Sequence, residues 1–177
     1  MIVFYINGAG GSGKSEFIQA VANNFSRVHD ISSIDGIKEK AKKEFGWDGQ
    51  KDEKGRELLR DLKAASIKYN DGPVEYIKTK LEEIKEKEEK EKHTSENIVF
   101  VTVREAEEIK KLQACIPGKT ISVERSGIEI GATEKEFIKT NKAFKYDYTY
   151  KNEGTINDLQ LGAVELLTKI IQEKPKK

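Results

Sequence analysis

Apolar positions along the chain switch between two periods. "MIVFYI" (1–6) is apolar on both faces and rich in β-branched and aromatic residues, which predicts a buried strand. Phe17, Ile18, Val21 and Phe25 follow at helical spacing. "VHDIS" (28–32) predicts a second, weaker strand. Steps of three and four through Ile34, Ile37, Ala41 and Phe45 predict a helix, "GWDG" (46–49) a turn, and "KGRELLRDLKAA" (54–65) another helix with Leu58, Leu59 and Leu62 as its apolar side. "NDGP" (70–73) breaks that helix. One apolar stripe then runs through Ile77, Leu81 and Ile84, and "KTKLEEIKEKEEKEK" (78–92) is otherwise charged. Glu83–Lys87, Glu86–Lys90 and Glu88–Lys92 stand at i,i+4 in the favourable orientation, the pattern of a solvated helix. "NIVFVTV" (97–103) predicts a strand, "EAEEIKKLQA" (105–114) a helix, and "TISVE" (120–124) and "YDYTY" (146–150) two more strands. Thr155 and Asp158 have capping-box spacing ahead of a final helix whose core face is Leu159, Ala163, Leu166, Ile170 and Ile171.

Strands alternate with helices throughout. The fold class this predicts is α/β: a three-layer domain with a parallel five-stranded sheet covered on both faces. Residues 1–177 read as one domain, a length that suits a single core. The stretch between strands two and three, 33–95, is long and helical and should project as an insert. Residues 125–142 make a second, shorter excursion.

Composition narrows the class further. Lys and Arg total 32 against 31 Asp and Glu, a net charge of +1, which argues against a dedicated nucleic-acid binder. No stretch approaches the ~20 apolar residues of a spanning helix, and "IVFYI" lacks the basic flank of a leader. A single cysteine, Cys115, excludes an internal disulfide framework and fits a reducing compartment. The expectation is a soluble cytoplasmic protein that engages neither nucleic acid nor membrane; its oligomeric state is left open. Cys115, at a helix end, is expected in the core. Trp47 is expected to cover the small core of the insert. His29 and His93 have no metal-ligand companions.

The most specific chemistry lies in "INGAGGSGKS" (6–15). Gly8, Gly13, Lys14 and Ser15 complete the pattern G-x-x-x-x-G-K-S between a predicted strand and a predicted helix, the arrangement of a triphosphate-binding loop. Glycines let backbone N–H groups converge on one point, and the next helix adds the positive end of its dipole. Gly8, Ala9, Gly10, Gly11, Ser12, Gly13, Lys14, Ser15 and Glu16 form the expected nucleotide-binding segment. Lys14 is suited to the β- and γ-phosphates of ATP, and the Ser15 hydroxyl to Mg²⁺. A GTP switch would need N-K-x-D, and "NKAF" (141–144) has Phe144 in the Asp position. Partitioning ATPases carry a lysine where Ala9 stands. A small kinase remains.

Such an enzyme needs cations on both the donor and acceptor sides. Arginine's planar fork matches phosphate best, and the chain has five: Arg27, Arg56, Arg60, Arg104 and Arg125. Arg56, Arg60 and Lys63 form a stripe on one predicted helix, which is equally the pattern of a solvated face. Arg104 and Arg125 each follow a strand directly, at the carboxyl edge where open α/β sheets bind ligands. Arg27 precedes a strand at the opposite edge and is given no role.

The opening "YINGAGGSGKS", the stretch "ISSIDGIKEKAKKEFGWDGQKDEKGRELLRDLK", "VFVTVREAEEI" and "YDYTYKNEGTINDLQ" together resemble the phage-type deoxynucleoside monophosphate kinases. They are more distantly similar to animal-type phosphomevalonate kinases. The resemblance implies a P-loop domain of the nucleoside monophosphate kinase type, with 33–95 as acceptor-binding insert and 125–142 as a short lid. It implies that Arg56 and Arg60 face the acceptor, that Arg104 meets the acceptor phosphate, and that Arg125 opens the lid. Lys14, Arg104 and Arg125 would be the catalytic cations, small-molecule nucleotides the partners, and the "NEG" turn (152–154) a neighbour of the donor base. Two departures stand out. Related kinases place an acid near the end of the third strand, where this chain reads Thr102-Val103-Arg104, and the lid carries one arginine. Phosphomevalonate or another small phosphate as acceptor, and nucleotide binding without turnover, are the alternatives.

Overall fold

The computed structural model describes residues 1–50, 52–91, 95–127, 141 and 143–173. Its elements are β1 (Ile2–Asn7), α1 (Lys14–Asn24), β2 (Val28–Ser32), α2 (Asp35–Phe45), α3 (Glu53–Asn70), α4 (Gly72–Glu91), β3 (Ile98–Thr102), α5 (Ala106–Cys115), β4 (Lys119–Glu124), β5 (Tyr148–Lys151) and α6 (Ile156–Gln172). Among the described residues the strands form one five-stranded sheet in the order β2-β3-β1-β4-β5. Every pairing is parallel, from Val28↔Ile98 at one edge to Ile121↔Tyr148 at the other.

The uninterrupted apolar runs of β1 and β3 have their cause in this order. Both strands are interior and covered on two faces, so alternate residues feed two cores. Phe4, Ile6 and Phe100 face α1 and α6, where they meet Phe17, Leu159 and Leu167. Phe4 stacks on Phe100 at 5.5 Å, and Phe17 meets the same ring edge-on at 6.3 Å. Val3, Tyr5, Val99 and Val101 face α4 and α5. Buried Tyr5 donates its hydroxyl to the Ile116 carbonyl at 2.8 Å, so its polar end is satisfied.

Within residues 33–95, α4 is built into the cover of the sheet through Val74, Ile77 and Leu81. Its first turn accommodates Pro73, so the helix starts at Gly72, inside the "NDGP" break. By contrast α3 buries only Gly55 and leaves Leu58, Leu59 and Leu62 half-covered. Trp47 covers the start of that helix, its Nε1 donating to the Gln50 carbonyl at 2.8 Å.

Several sequence expectations need correction. Phe45 is 60% exposed at the end of α2, beyond the buried positions Ile37 and Ala41. On α6 the innermost positions are Leu159, Ala163, Leu167 and Ile170; Ile171 is exposed, and Leu166 is only partly buried. Cys115 is an exposed free thiol at the last residue of α5. Glu88 accepts the Asn97 N–H at 3.1 Å, while Lys92, its expected partner, lies outside the described residues. Among the described residues no helix is long and apolar enough to cross a membrane.

Candidate active site

The glycine loop leaves β1 in the middle of the sheet, at the carboxyl edge. Two of its glycines are required by space as well as by backbone. Gly8 has φ +152, and a Cβ there would fall 2.3 Å from the Val123 carbonyl oxygen. Gly13 has φ +100, and its Cβ would fall 2.6 Å from Asn152 Nδ2 and 2.7 Å from Leu159 Cδ1. Gly13 is also the residue before α1, so no side chain caps that helix. The positive end of α1 therefore opens directly onto the loop. The Lys14 ammonium folds over the mouth, donating to the carbonyls of Gly8 at 2.6 Å and Ala9 at 2.9 Å. A ring of backbone amides, an uncapped helix and an ammonium make a site for a polyphosphate.

Two asparagines to which the sequence reading gave no structural role hold this loop. Asn7, 1% exposed, donates from Nδ2 to the carbonyls of Val103 (2.8 Å) and Arg104 (2.9 Å), tying the start of the loop to the exit of β3. Asn152, 3% exposed, donates to the Ser12 carbonyl at 2.9 Å, and its own N–H reaches the Glu124 carbonyl. The sequence signals were an amide side chain directly after the first predicted strand for Asn7, and for Asn152 its place in the "NEG" turn, which the resemblance sets near the donor base.

Strand order brings the predicted cations around the loop. β1 lies between β3 and β4, so Arg104 and Arg125, each just beyond one neighbour, leave the sheet on opposite flanks of the loop. On the β4 side an open cavity of about 690 Å³ is lined by Gly8, Ala9, Ser12, Glu124, Arg125 and Tyr146, among others. Arg56 and Arg60 are exposed on α3; Arg60 lies 3.9 Å from Glu57 and 3.8 Å from Asp61 on its own helix. Lys63, grouped with them by spacing, turns inward to the α5 carboxylates Glu105 (2.5 Å) and Glu108 (3.0 Å). Of the excursion 125–142, residues 128–140 and 142, Lys135 and Lys139 included, lie outside the described residues, as does His93.

The Thr102 position gains a carboxylate from the next strand. Thr102 Oγ1 donates to Asp30 Oδ1 at 3.5 Å, across the β2–β3 pair. Partial burial, then the neighbouring Asp35, push the Asp30 carboxyl above its ordinary value, with Thr102 and Lys38 offsetting part of the rise. Mg²⁺ is bound by one or two carboxylates together with hydroxyl, water and phosphate oxygens, so Ser15 and Asp30 are donors of the right chemistry.

Loop, flanking arginines and strand order define the fold of a P-loop kinase. A shikimate kinase from Acinetobacter baumannii superimposes with a TM-score of 0.56 at 14% identity over 98% of this chain and 96% of that one. A dephospho-CoA kinase from Campylobacter jejuni gives 0.52 at 17% identity over 95% and 96%. A shikimate kinase from Bacteroides thetaiotaomicron gives 0.50 at 15% over 97% and 99%. At such identities the likeness is one of fold. No family model and no curated protein sequence matches the chain.

Proposed function

We propose that the protein transfers the γ-phosphoryl group of ATP to a small phosphorylated acceptor, first of all a (deoxy)nucleoside monophosphate. The observation that carries this reading is the distribution of cations about one loop. Lys14 closes over the loop mouth, with Arg125 on one flank and Arg104 on the other. Phosphoryl transfer asks little covalent chemistry of a protein; it asks for in-line positioning and for compensation of spreading negative charge. The loop amides and α1 hold the donor phosphates, Lys14 compensates charge on the transferring group, and Arg125 covers the donor side. Arg104 grips the acceptor phosphate, with Arg56 and Arg60 of α3 beyond it. An ionised phosphate acceptor needs no general base.

Ser15 and Asp30 are the residues that would hold Mg²⁺, which supplies compensation for the phosphate charge when bound. The insert 33–95 binds the acceptor, and 125–142 serves as the lid. The resemblance to phage-type deoxynucleoside monophosphate kinases supports this choice of acceptor, and the neighbouring kinases of known structure support phosphotransfer in general.

Phosphomevalonate is the next acceptor to try. Nucleotide binding without turnover draws on Thr102 at the third-strand position. The deciding experiment incubates the protein with ATP, Mg²⁺ and each nucleoside monophosphate in turn and reads ADP release. Turnover with one of them, abolished in Lys14→Ala while circular dichroism stays that of the parent, is expected. Equal turnover by Lys14→Ala overturns the assignment. ATP binding with no ADP from the nucleoside monophosphates or from phosphomevalonate favours the non-catalytic reading.

A further inference from the structure

Lys63 is the one member of the α3 stripe that the structure withdraws from solvent. Its side chain is 15% exposed, and its ammonium lies between Glu105 (2.5 Å) and Glu108 (3.0 Å), both in the first turn region of α5. Burial alone would lower the Lys63 pKa, but the two carboxylates outweigh it and raise it. For Glu105 burial works upward, and Lys63, with Glu108 and Arg104, outweighs it, leaving the carboxyl below its ordinary value. Burial pushes the Glu108 carboxyl the other way, above its ordinary value, with Lys63 offsetting part of the rise.

The position of this ion cluster is what gives it meaning. Arg104, Glu105 and Ala106 form the corner by which the chain turns from β3 into α5. Each residue of the corner is gripped from a different part of the chain. Asn7 of β1 holds the Arg104 carbonyl at 2.9 Å. Lys63 of α3 holds the Glu105 carboxylate. Asn141, 7% exposed, accepts the Ala106 N–H through Oδ1 at 2.7 Å. The corner is fixed in backbone and side chain, and the residue it presents is Arg104.

We propose that Lys63 is a positioning residue for Arg104: by clamping α3 to Glu105 and Glu108 it sets the direction in which the guanidinium meets an acceptor phosphate, and brings Arg56 and Arg60 of the same helix face to that phosphate. The inference rests on the reading of Arg104 as an acceptor contact given above. It assigns Lys63 an indirect role, without contact to substrate. A planar bidentate grip loses much of its strength over a small misplacement, so a clamp at the adjoining residue has leverage.

The test is a double-mutant cycle in the full chain, with deoxynucleoside monophosphate affinities measured calorimetrically and ATP affinity alongside. Lys63→Met should weaken acceptor affinity about tenfold, within the range of couplings between residues in one network. ATP affinity should hold, and Lys63→Arg should restore most of the loss. In an Arg104→Ala background Lys63→Met should cost little more, because the group it positions is gone; full additivity overturns the proposal. Because Lys63→Met leaves the buried Glu108 and the half-exposed Glu105 without their cation, Lys63→Met/Glu108→Gln is measured too. If that pair binds acceptor as the parent does, charge balance and not positioning was at work, and the proposal falls.

Amide hydrogen exchange at Arg104 and Glu105 in the nucleotide-free protein gives a readout independent of any acceptor. It should quicken in Lys63→Met and in the Glu108→Gln pair, and return in Lys63→Arg; no change overturns the clamp. Should the parent protein bind no nucleoside monophosphate while exchange responds as stated, the acceptor reading fails and the clamp stands.

Discussion

Gly13 shows how much one position can decide. Its left-handed backbone starts α1, and its missing side chain lets Asn152 reach the Ser12 carbonyl. Gly13→Ala must accept both a strained φ and a clash with Asn152 and Leu159, at a cost of about 1–3 kcal/mol for the backbone alone. The expected outcome is a lower thermal midpoint together with loss of ATP binding in calorimetry. Asp30 makes a separate prediction at this scale. Its folded-state pKa is raised, so the folded protein holds that proton more tightly than the unfolded chain. Stability from this residue is fullest below the ordinary aspartate range and declines as pH rises through the raised value. Asp30→Asn should therefore raise Tm slightly at pH 7 and remove part of the fall between acid and neutral pH. If Asp30 serves the metal, the same variant should lose Mg²⁺-dependent ADP release. A lower Tm at pH 7 would show the carboxylate to be net stabilising.

Elements differ in how firmly their sequence commits them. α6 is over-determined: its apolar face meets α1 and the sheet, and Thr155 and Asp158 form the capping box that their spacing predicts. Thr155→Ala should cost about 1 kcal/mol, or ~2–4 °C in Tm for a chain of this length, measured by thermal unfolding. Asp158, whose bonds to Thr155 hold it below its ordinary value, adds a pH signature. Its contribution is present above the unfolded pKa and lost as pH falls through the folded one, so the penalty of Thr155→Ala should shrink in acid. α3 is the opposite case. Its leucines mark a helix, but a helical period says nothing about how deeply the face is buried, and only Gly55 is. The exposure of Phe45 on α2 has the same origin: the period runs on to the last residue of the helix, beyond the buried Ile37 and Ala41.

For the molecule as a whole, the difference between α4 and α3 predicts which part moves. α4 is fastened in the core, whereas α3 lies outside it, resting on α2 and α4 and tied to α5 through Lys63. With a bisubstrate analogue joining ATP to a nucleoside monophosphate, amide exchange in α3 should slow while α4 stays slow throughout. Unchanged exchange in α3 would count against closure of an acceptor region. The sequence by itself determined the class of architecture and the glycine loop, because both rest on local physics. Strand and helix periods, the G-x-x-x-x-G-K-S spacing and the Thr155 cap each act within a few residues. It also located Arg104 and Arg125 at strand ends. What it held no means of deciding was strand order, and strand order is what sets β1 between β3 and β4 and so sets those two arginines on either side of Lys14. The same holds for Asn7, Asn152 and Lys63, whose partners lie 96, 140 and 42 residues away. Thr102 and Asp30, 72 apart in the chain, meet only because β2 lies beside β3. Spacing along the chain fixes which face of its own element a side chain occupies; the partner on the facing element is fixed only when the sheet assembles.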